Sequence, residues 1–225
     1  MTFSIVGRCT RTGAFGVAIT SSSPAVAARC AYVRSGVGAA TTQNVTDPRL
    51  GPALLDALST GASPEAALAL VRAAAPHVEH RQLSLIGNAG SGAFWSGTQT
   101  LGSHGGVAGT DFVVAGNLLA STEVLAAGAT AFSADAERPL EERLLAGLRA
   151  GLEAGGESGP LHSAGLLVSE DVAWPVTSLR VDWSDSPIEA LEQLWTVWAP
   201  QKADYVVRAL DPSSAPGYGV PGDDR

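Results

Sequence analysis

The chain opens Met1-Thr2-Phe3-Ser4-Ile5-Val6-Gly7-Arg8-Cys9-Thr10-Arg11-Thr12-Gly13-Ala14-Phe15-Gly16-Val17-Ala18-Ile19-Thr20. Both flanks of this stretch are short, β-branched and aromatic, and Arg8 to Gly13 is turn chemistry, so the pattern predicts a β-hairpin that begins at the second residue. With a turn centred near Arg11, antiparallel pairing brings Thr2 opposite Thr20, within two residues, and sets Ser21, Ser22 and Ser23 beside the start of the chain. In the second strand Phe15, Val17 and Ile19 share one face, while Gly16, Ala18 and Thr20 share the other. The bulky face is expected to pack on helices, and the small face to leave room for a second sheet or a cleft.

Thr2 directly follows Met1, and an initiator methionine is normally trimmed when the next side chain is small. Trimming would leave a hydroxyl and a free α-amine on one carbon framework. The amine's unperturbed pKa is roughly 7.7 to 8.0, so a fraction is neutral at physiological pH and able to take the hydroxyl proton. A threonine with its own amine as base is a known way of activating a weak nucleophile. On this feature alone, a residue that merely opens a strand is the simpler reading.

The 225 residues carry no linker-like interruption, which predicts one domain over residues 1–210 and a Pro-, Gly-, Ser- and Asp-containing tail over 211–225. An apolar content of 45% is ample for a core, and the formal charge of −8, without a basic cluster, argues against a nucleic-acid partner. Cys9 and Cys30 form no CxxC motif and read as small buried residues. The strand pattern starts without a charged leader, and no run approaches the ~18 apolar residues of a membrane helix. A cytoplasmic protein with no membrane partner is therefore expected. His77 and His80 have a His-x-x-His spacing but no third ligand, so they read as surface residues, and neither a metal nor a cofactor is expected. The Gly-rich segment Leu101 to Gly106 lacks a Gly-Lys-Ser/Thr ending and reads as a loop serving the next strand.

Along the rest of the chain, residues 24–32 suggest a short helix or a turn-rich crossing, and 36–44 a strand of small residues. Helices are expected over 51–60 and 64–75, the latter introduced by Ser63-Pro64-Glu65. A second hairpin spans 81–87 and 91–97, followed by a strand over 111–117 and helices over 121–132 and 140–152. Strands over 163–169 and 177–183 precede a last helix over 187–198, capped by Ser186. Hairpin connections in this order favour antiparallel sheets layered with helices over a doubly wound parallel sheet.

Several of these pieces carry a resemblance: Thr2-Phe3-Ser4-Ile5-Val6, Thr12-Gly13 with Gly16-Val17-Ala18, Gly36-Val37-Gly38-Ala39 running into Thr42-Gln43, Arg81-Gln82-Leu83, His104 in its glycine setting, Gly116-Asn117-Leu118-Leu119, Ser163-Ala164 and Leu179-Arg180-Val181-Asp182. In this order, from residue 2 to about residue 198, the chain resembles the DUF1028 family, whose fold is of the N-terminal nucleophile (Ntn) hydrolase type. The resemblance implies an α+β fold, a four-layer αββα sandwich of two antiparallel sheets flanked by helices, with amide-bond hydrolysis as its usual chemistry. Fold likeness does not by itself establish activity. Ser21-Ser22-Ser23-Pro24, Leu101 and Leu161-His162 depart from the common pattern and touch expected cleft walls.

Within that frame Thr2 is the expected nucleophile. Backbone N–H groups at Thr41 to Gln43, centred on Thr42, and the Asn117 amide are the expected oxyanion donors, although Asn117 reads equally as a residue that turns the chain. Arg81 and Asp182 are candidates to hold the α-amine and a substrate carboxylate, or else form a structural ion pair. Ser22 and Ser163 are candidates to bind the amine or relay its proton, and Gln43 and His104 to contact substrate. The expected activity is hydrolysis of the C–N bond of a small amide or N-acyl compound. The alternative is a non-catalytic module that binds a small molecule or a partner. A small-molecule amide is the expected ligand, and a homodimer or higher homo-oligomer the expected assembly.

Overall fold

The computed structural model describes residues 1–223, and the last two positions of the expected tail, 224–225, lie outside the described residues. Strand β1 (Thr2–Arg8) and strand β2 (Phe15–Ser21) form the opening hairpin. Its turn is closed by the Cys9 N–H on the Ala14 carbonyl and the Gly13 N–H on the Cys9 carbonyl, with Gly13 at φ +74°, a conformation glycine adopts without steric cost. Thr2 pairs with Ser21 and Arg8 with Phe15, one residue away from the expected register. That single step matters, because opposed residues in an antiparallel pair share a face. It puts the Ser21 side chain, and not that of Thr20, beside Thr2.

A short helix α1 (Ala27–Cys30) leads into β3 (Ala31–Arg34), then β4 (Gly38–Asn44), helices α2 (Leu50–Ser59) and α3 (Pro64–Ala74), and strands β5 (Arg81–Gly87), β6 (Ala93–Ser96), β7 (Ser103–Ala108) and β8 (Phe112–Leu119). Helices α4 (Glu123–Ser133) and α5 (Leu140–Glu153), strands β9 (Ser163–Ser169) and β10 (Pro175–Val181), and helices α6 (Pro187–Trp198) and α7 (Lys202–Leu210) complete the chain. The strands form two antiparallel sheets, ordered β10-β9-β2-β1-β8-β7 and β3-β4-β5-β6. The fold is α+β, and among the described residues no helix is long and apolar enough to cross a membrane.

Three apolar clusters account for the packing. Phe3, Ile5, Ala18, Val114 and Leu166 on the six-stranded sheet pack against Val124 and Phe132 of α4, Leu144 and Leu148 of α5, and Ile188 and Leu191 of α6. Ala40, Leu83 and Leu85 on the four-stranded sheet pack against Leu54 and Leu58 of α2 and Leu68 and Val71 of α3. Between the sheets lie Val6, Phe15, Val17, Ile19, Ala39, Ile86 and Val113.

This assignment reverses the expected faces of β2. The bulky Phe15, Val17 and Ile19 face the second sheet, and the small Gly16 and Ala18 face the helices. Two facing sheets stand ~10 Å apart and need large side chains to fill the gap. Helix α5 lies close against the small face and supplies its own bulk: a Cβ on Gly16 would stand 2.6 Å from Leu144 Cδ1, and on the neighbouring β1 one on Gly7 would stand 2.7 Å from the Phe132 ring of α4.

Other expectations change as well. Of the glycine segment expected as a loop, Ser103 to Gly106 are strand, because β7 is held by the ladder to β8 and needs little side-chain propensity of its own. Strand β3 and helix α7 were not legible in the pattern. Ser63 caps α3 by accepting the Ala66 N–H, but Ser186 makes no side-chain cap on α6 and serves that helix through its backbone carbonyl, which accepts from Ala190. At the turn end of the hairpin Arg8 is buried, ion-paired with Asp111 at 2.8 Å and donating to the carbonyls of Gly87, Asn88 and Thr110. It ties the two sheets together at the end remote from Thr2.

Candidate active site

Along β1 the residues facing the second sheet are Thr2, Ser4, Val6 and Arg8, alternating with Phe3 and Ile5 toward the helices. The space between the sheets therefore grades from apolar at Val6 to polar at Thr2. Register places Ser163 of β9 opposite Ser21 of β2, Ser21 opposite Thr2 of β1, and Thr2 opposite Asn117 of β8. These residues form one row on one face at the end of the six-stranded sheet.

Thr2 is only 6% exposed, and its Oγ1 lies 3.2 Å from the Ser21 Oγ. Both hydroxyls donate to the Met1 carbonyl oxygen. Ser21 Oγ also meets Ser23 Oγ at 2.9 Å and accepts the Ser23 N–H at 3.1 Å, so its lone pairs and its proton are all directed. The hydroxyl pair is thus already arranged around a carbonyl oxygen.

Deeper between the sheets lies a chain of amides. Ser4 Oγ donates to Gln43 Oε1 at 2.8 Å, and Gln43 Nε2 donates to Gln82 Oε1 at 2.8 Å and to the Ala115 carbonyl. Gln82 Nε2 is directed at Ser96 Oγ and at the carbonyls of Gly116 and Gly105, and Asn117 Nδ2 donates to Gln82 Oε1 at 3.1 Å. Backbone carbonyls accept only, so they set which end of each amide faces which neighbour. The orientation passes from Ala115 and Gly116 through Gln43 and Gln82 to Asn117, whose Oδ1 is left buried and without a partner. The residue after it, Leu118, has φ +52°, a conformation that costs a non-glycine residue on the order of 1–3 kcal/mol. It is held there by its N–H on the Leu101 carbonyl and by the Ser158 N–H on its own carbonyl.

The second buried polar group at this end is Glu157, in the segment between α5 and β9. Gly155 and Gly156, at φ +118° and +60°, turn the chain after α5 so that it bridges to Leu119 at the end of β8. Glu157 is 5% exposed; its Oε2 accepts the Ser22 N–H at 3.2 Å and its Oε1 has no hydrogen-bond partner. Burial pushes its carboxyl up to about 7, against the pull of the Met1 ammonium and the Ser22 hydrogen bond.

That shift has a sign that stability measurements can read. A carboxyl raised in the folded state binds its proton more tightly there, so its contribution to stability is complete below about pH 4.5 and is lost as pH rises through about 7. At ~1.4 kcal/mol per pKa unit, the difference is roughly 3 kcal/mol. Denaturant unfolding of a Glu157→Gln variant against the parent should show the variant gaining by about that amount between pH 4.5 and pH 8. A stability difference that does not change with pH would assign the titration to another group.

The other expected site residues divide clearly. Gln43, Asn117 and Ser22 join the row and its amide chain or border it. The Thr42 side chain does not, because it alternates with Gln43 and faces away from the intersheet space, its hydroxyl 3.4 Å from that of Thr46, and its backbone N–H, the donor expected there, belongs to β4 of the four-stranded sheet and not to the row. Ser163 is in the row, but its hydroxyl donates to the Ser23 carbonyl at 2.6 Å and accepts the Val26 N–H, so it holds the 21–26 turn. His104 lies on β7, exposed, its Nδ1 2.7 Å from the Gly102 carbonyl oxygen.

Arg81 and Asp182 are not brought together. Arg81 belongs to the four-stranded sheet and binds the Val45 carbonyl, whereas Asp182 follows β10 at the edge of the other sheet and pairs with Arg180 at 2.6 Å. With β9 and β2 intervening between β10 and β1, Asp182 stands on the order of 14 Å from the Thr2 strand at ~4.8 Å per strand. Ser4, Gln82 and Glu157 are the residues sequence reasoning missed, and Ser21, placed beside the chain start, was given no role. The alternation Thr2, Phe3, Ser4, Ile5 signals the first; Glu157, in a glycine-rich turn, has no periodic signal. Among the described residues no cluster of three His, Cys, Asp or Glu side chains is placed to hold a metal ion.

Comparison with known proteins bears on the whole chain. A crystal structure of a Silicibacter pomeroyi protein of the DUF1028 family is 32% identical, with 91% of this chain and 89% of that one covered and a TM-score of 0.83. Anbu, the ancestral β-subunit of Yersinia bercovieri, aligns over 97% of this chain and 100% of its own at 13% identity, but its TM-score of 0.41 establishes neither a common fold nor a common chemistry. The comparison with curated proteins gives no match. Residues 2–191 match the model of a family of unknown function, and with the Silicibacter pomeroyi relative this match covers nearly all of the strands and helices that build the Thr2 site. The chain belongs to the DUF1028 family.

Proposed function

We propose that the protein is an Ntn-type amidohydrolase in which Thr2, freed of Met1, attacks the carbonyl carbon of a small amide. The observation that carries this reading is the pair of hydroxyls, Thr2 Oγ1 and Ser21 Oγ, converging on one carbonyl oxygen at the polar end of the intersheet space. The packing of α4, α5 and α6 outside one sheet and of α2 and α3 outside the other supports the four-layer αββα sandwich of that class.

In the proposed cycle the neutral α-amine takes the Oγ1 proton as Oγ1 forms a bond to the carbonyl carbon. The tetrahedral oxyanion receives the Ser21 hydroxyl hydrogen bond. The C–N bond then breaks, the proton passes to the leaving nitrogen, and the acyl group remains as an ester on Thr2. Water, deprotonated by the same amine, cleaves the ester to release the carboxylic acid and restore the hydroxyl. An oxyanion donor is worth about 2.7–4 kcal/mol of barrier in acyl transfer; the Ser21 hydroxyl, which meets a carbonyl oxygen beside Thr2, takes that role in place of the Thr42 backbone and of the Asn117 amide, whose N–H goes to Gln82. Gln43, Gln82 and Asn117 act through position, fixing the wall on which Thr2 stands.

The test is intact mass before and after treatment with a β-lactone, an electrophile that acylates N-terminal threonine. A mass lacking Met1 and a single adduct mapped to Thr2 are expected. A protein that keeps Met1 in full, with no adduct at Thr2, returns the chain to the binding-module reading.

A further inference from the structure

We propose that the site is built for α-aminoacyl amides, with Glu157 as the anchor for the substrate's ammonium group. The proposal rests on the reading of Thr2 as the acyl-accepting residue and narrows its substrate class.

Met1 is itself an aminoacyl group seated on Thr2. Its carbonyl oxygen receives both hydroxyls, its side chain runs against Gly159, where a Cβ would stand 2.9 Å from the Met1 Cε, and its ammonium acts on the Glu157 carboxyl from beyond ion-pairing distance, leaving Oε1 unpartnered. Once Met1 is gone, two hydroxyl donors for a carbonyl oxygen and a glycine wall for a side chain are free, and a carboxylate with an unused oxygen lies beyond them.

The carboxylate has the properties of an anchor. It is 95% buried by its 5% exposure, one oxygen is fixed by the Ser22 N–H, and the other is unpartnered. It lines a cavity of about 230 Å³ together with Gly159, Leu161, Pro187 and Ile188, and no lysine or arginine lines that cavity. Of the other two acids there, Glu189 is held by Arg149 at 2.6 Å, and Asp185 is almost fully exposed. A buried carboxylate without a cation is costly, and an arriving ammonium relieves that cost. Asn117 Oδ1, the free acceptor opposite Thr2, adds a second place for an N–H donor. The bonds made and broken are those of the cycle above, so the products are a free amino acid and ammonia or an amine.

The experiment uses full-length Thr2→Ala protein, verified by mass to lack Met1, and measures binding of L-methioninamide and of N-acetyl-L-methioninamide by calorimetry. Acetylation removes the charge and leaves the rest. Charge-assisted hydrogen bonds predict at least ~10-fold tighter binding of the free amine. Adding Glu157→Gln should bring the two ligands within about twofold, while Glu189→Gln should keep the preference. Equal binding, tighter binding of the acetylated ligand, no binding of either, or a preference that survives Glu157→Gln would overturn the proposal. Should Glu157→Gln fail to fold, the comparison of the two ligands on the Thr2→Ala protein still decides. Free-amine binding without turnover by the Thr2-bearing protein would remove the hydrolase reading and keep the subsite. Turnover of acetylated amides at least as fast as free ones would do the reverse.

Discussion

Thr2→Ala is expected to lower amide turnover by on the order of 10⁴-fold while leaving the protein folded, since deleting a nucleophile removes the covalent route and leaves only binding and polarisation. The structural cost is small. The Thr2 hydroxyl touches only Ser21 Oγ and the Met1 carbonyl, and loss of one such hydrogen bond costs about 1 kcal/mol. Alanine keeps the α-amine, the small second residue and the strand, so the variant separates hydroxyl from amine. Steady-state rates on a panel of small amides, with unfolding curves on the same preparations, supply the check. Turnover within about tenfold of the parent would mean that the acyl group is not carried by Thr2.

Gln82→Leu is expected to destabilise the fold by about 3–5 kcal/mol, the range for breaking a fully buried polar network. Gln82 has no exposed surface, and its single side chain accepts from Gln43 and Asn117 and donates toward Ser96, Gly105 and Gly116. Leucine is close in volume, so the loss comes from two orphaned amide donors and uncovered carbonyls rather than from a cavity. For a chain of this size each kcal/mol is ~2–4 °C of melting temperature, which puts the expected drop between about 6 and 20 °C. Asn117 would also lose the contact that orients it opposite Thr2. A melting temperature within a few degrees of the parent would mean that water or neighbouring groups satisfy these amides in its place.

The opening strand, the hairpin after it, and the closeness of Thr2 to residues 20–23 were all legible in the chain, because they depend on short-range pattern: β-branched alternation, a turn with Gly13, and pairing distance. The same holds for α2, α3, α5 and α6, whose apolar spacing is local. What was not legible depends on partners far away in the chain. β7 is a strand because β8 lies beside it, not because Ser103 to Ala108 favour extension. The faces of β2 were reversed because α5 brings its own leucines against glycine, while the neighbouring sheet needs the bulk of Phe15, Val17 and Ile19.

The site divides in the same way. Thr2 is marked by its position in the sequence, and Gln43 and Asn117 by the family resemblance. Their arrangement is tertiary: register by one residue selects Ser21 over Thr20, alternation turns Thr42 away from Gln43, and the edge of the sheet keeps Asp182 from Arg81. Glu157 is the extreme case, a single acid in a glycine turn whose burial, missing partner and raised pKa exist only because the loop crosses the end of β8 beside Ser22. Pattern along the chain therefore determined most of the strands and helices and the candidate nucleophile. Only the folded structure decided what surrounds that nucleophile, since burial, register and unpaired charge arise from contacts between residues that no local period relates.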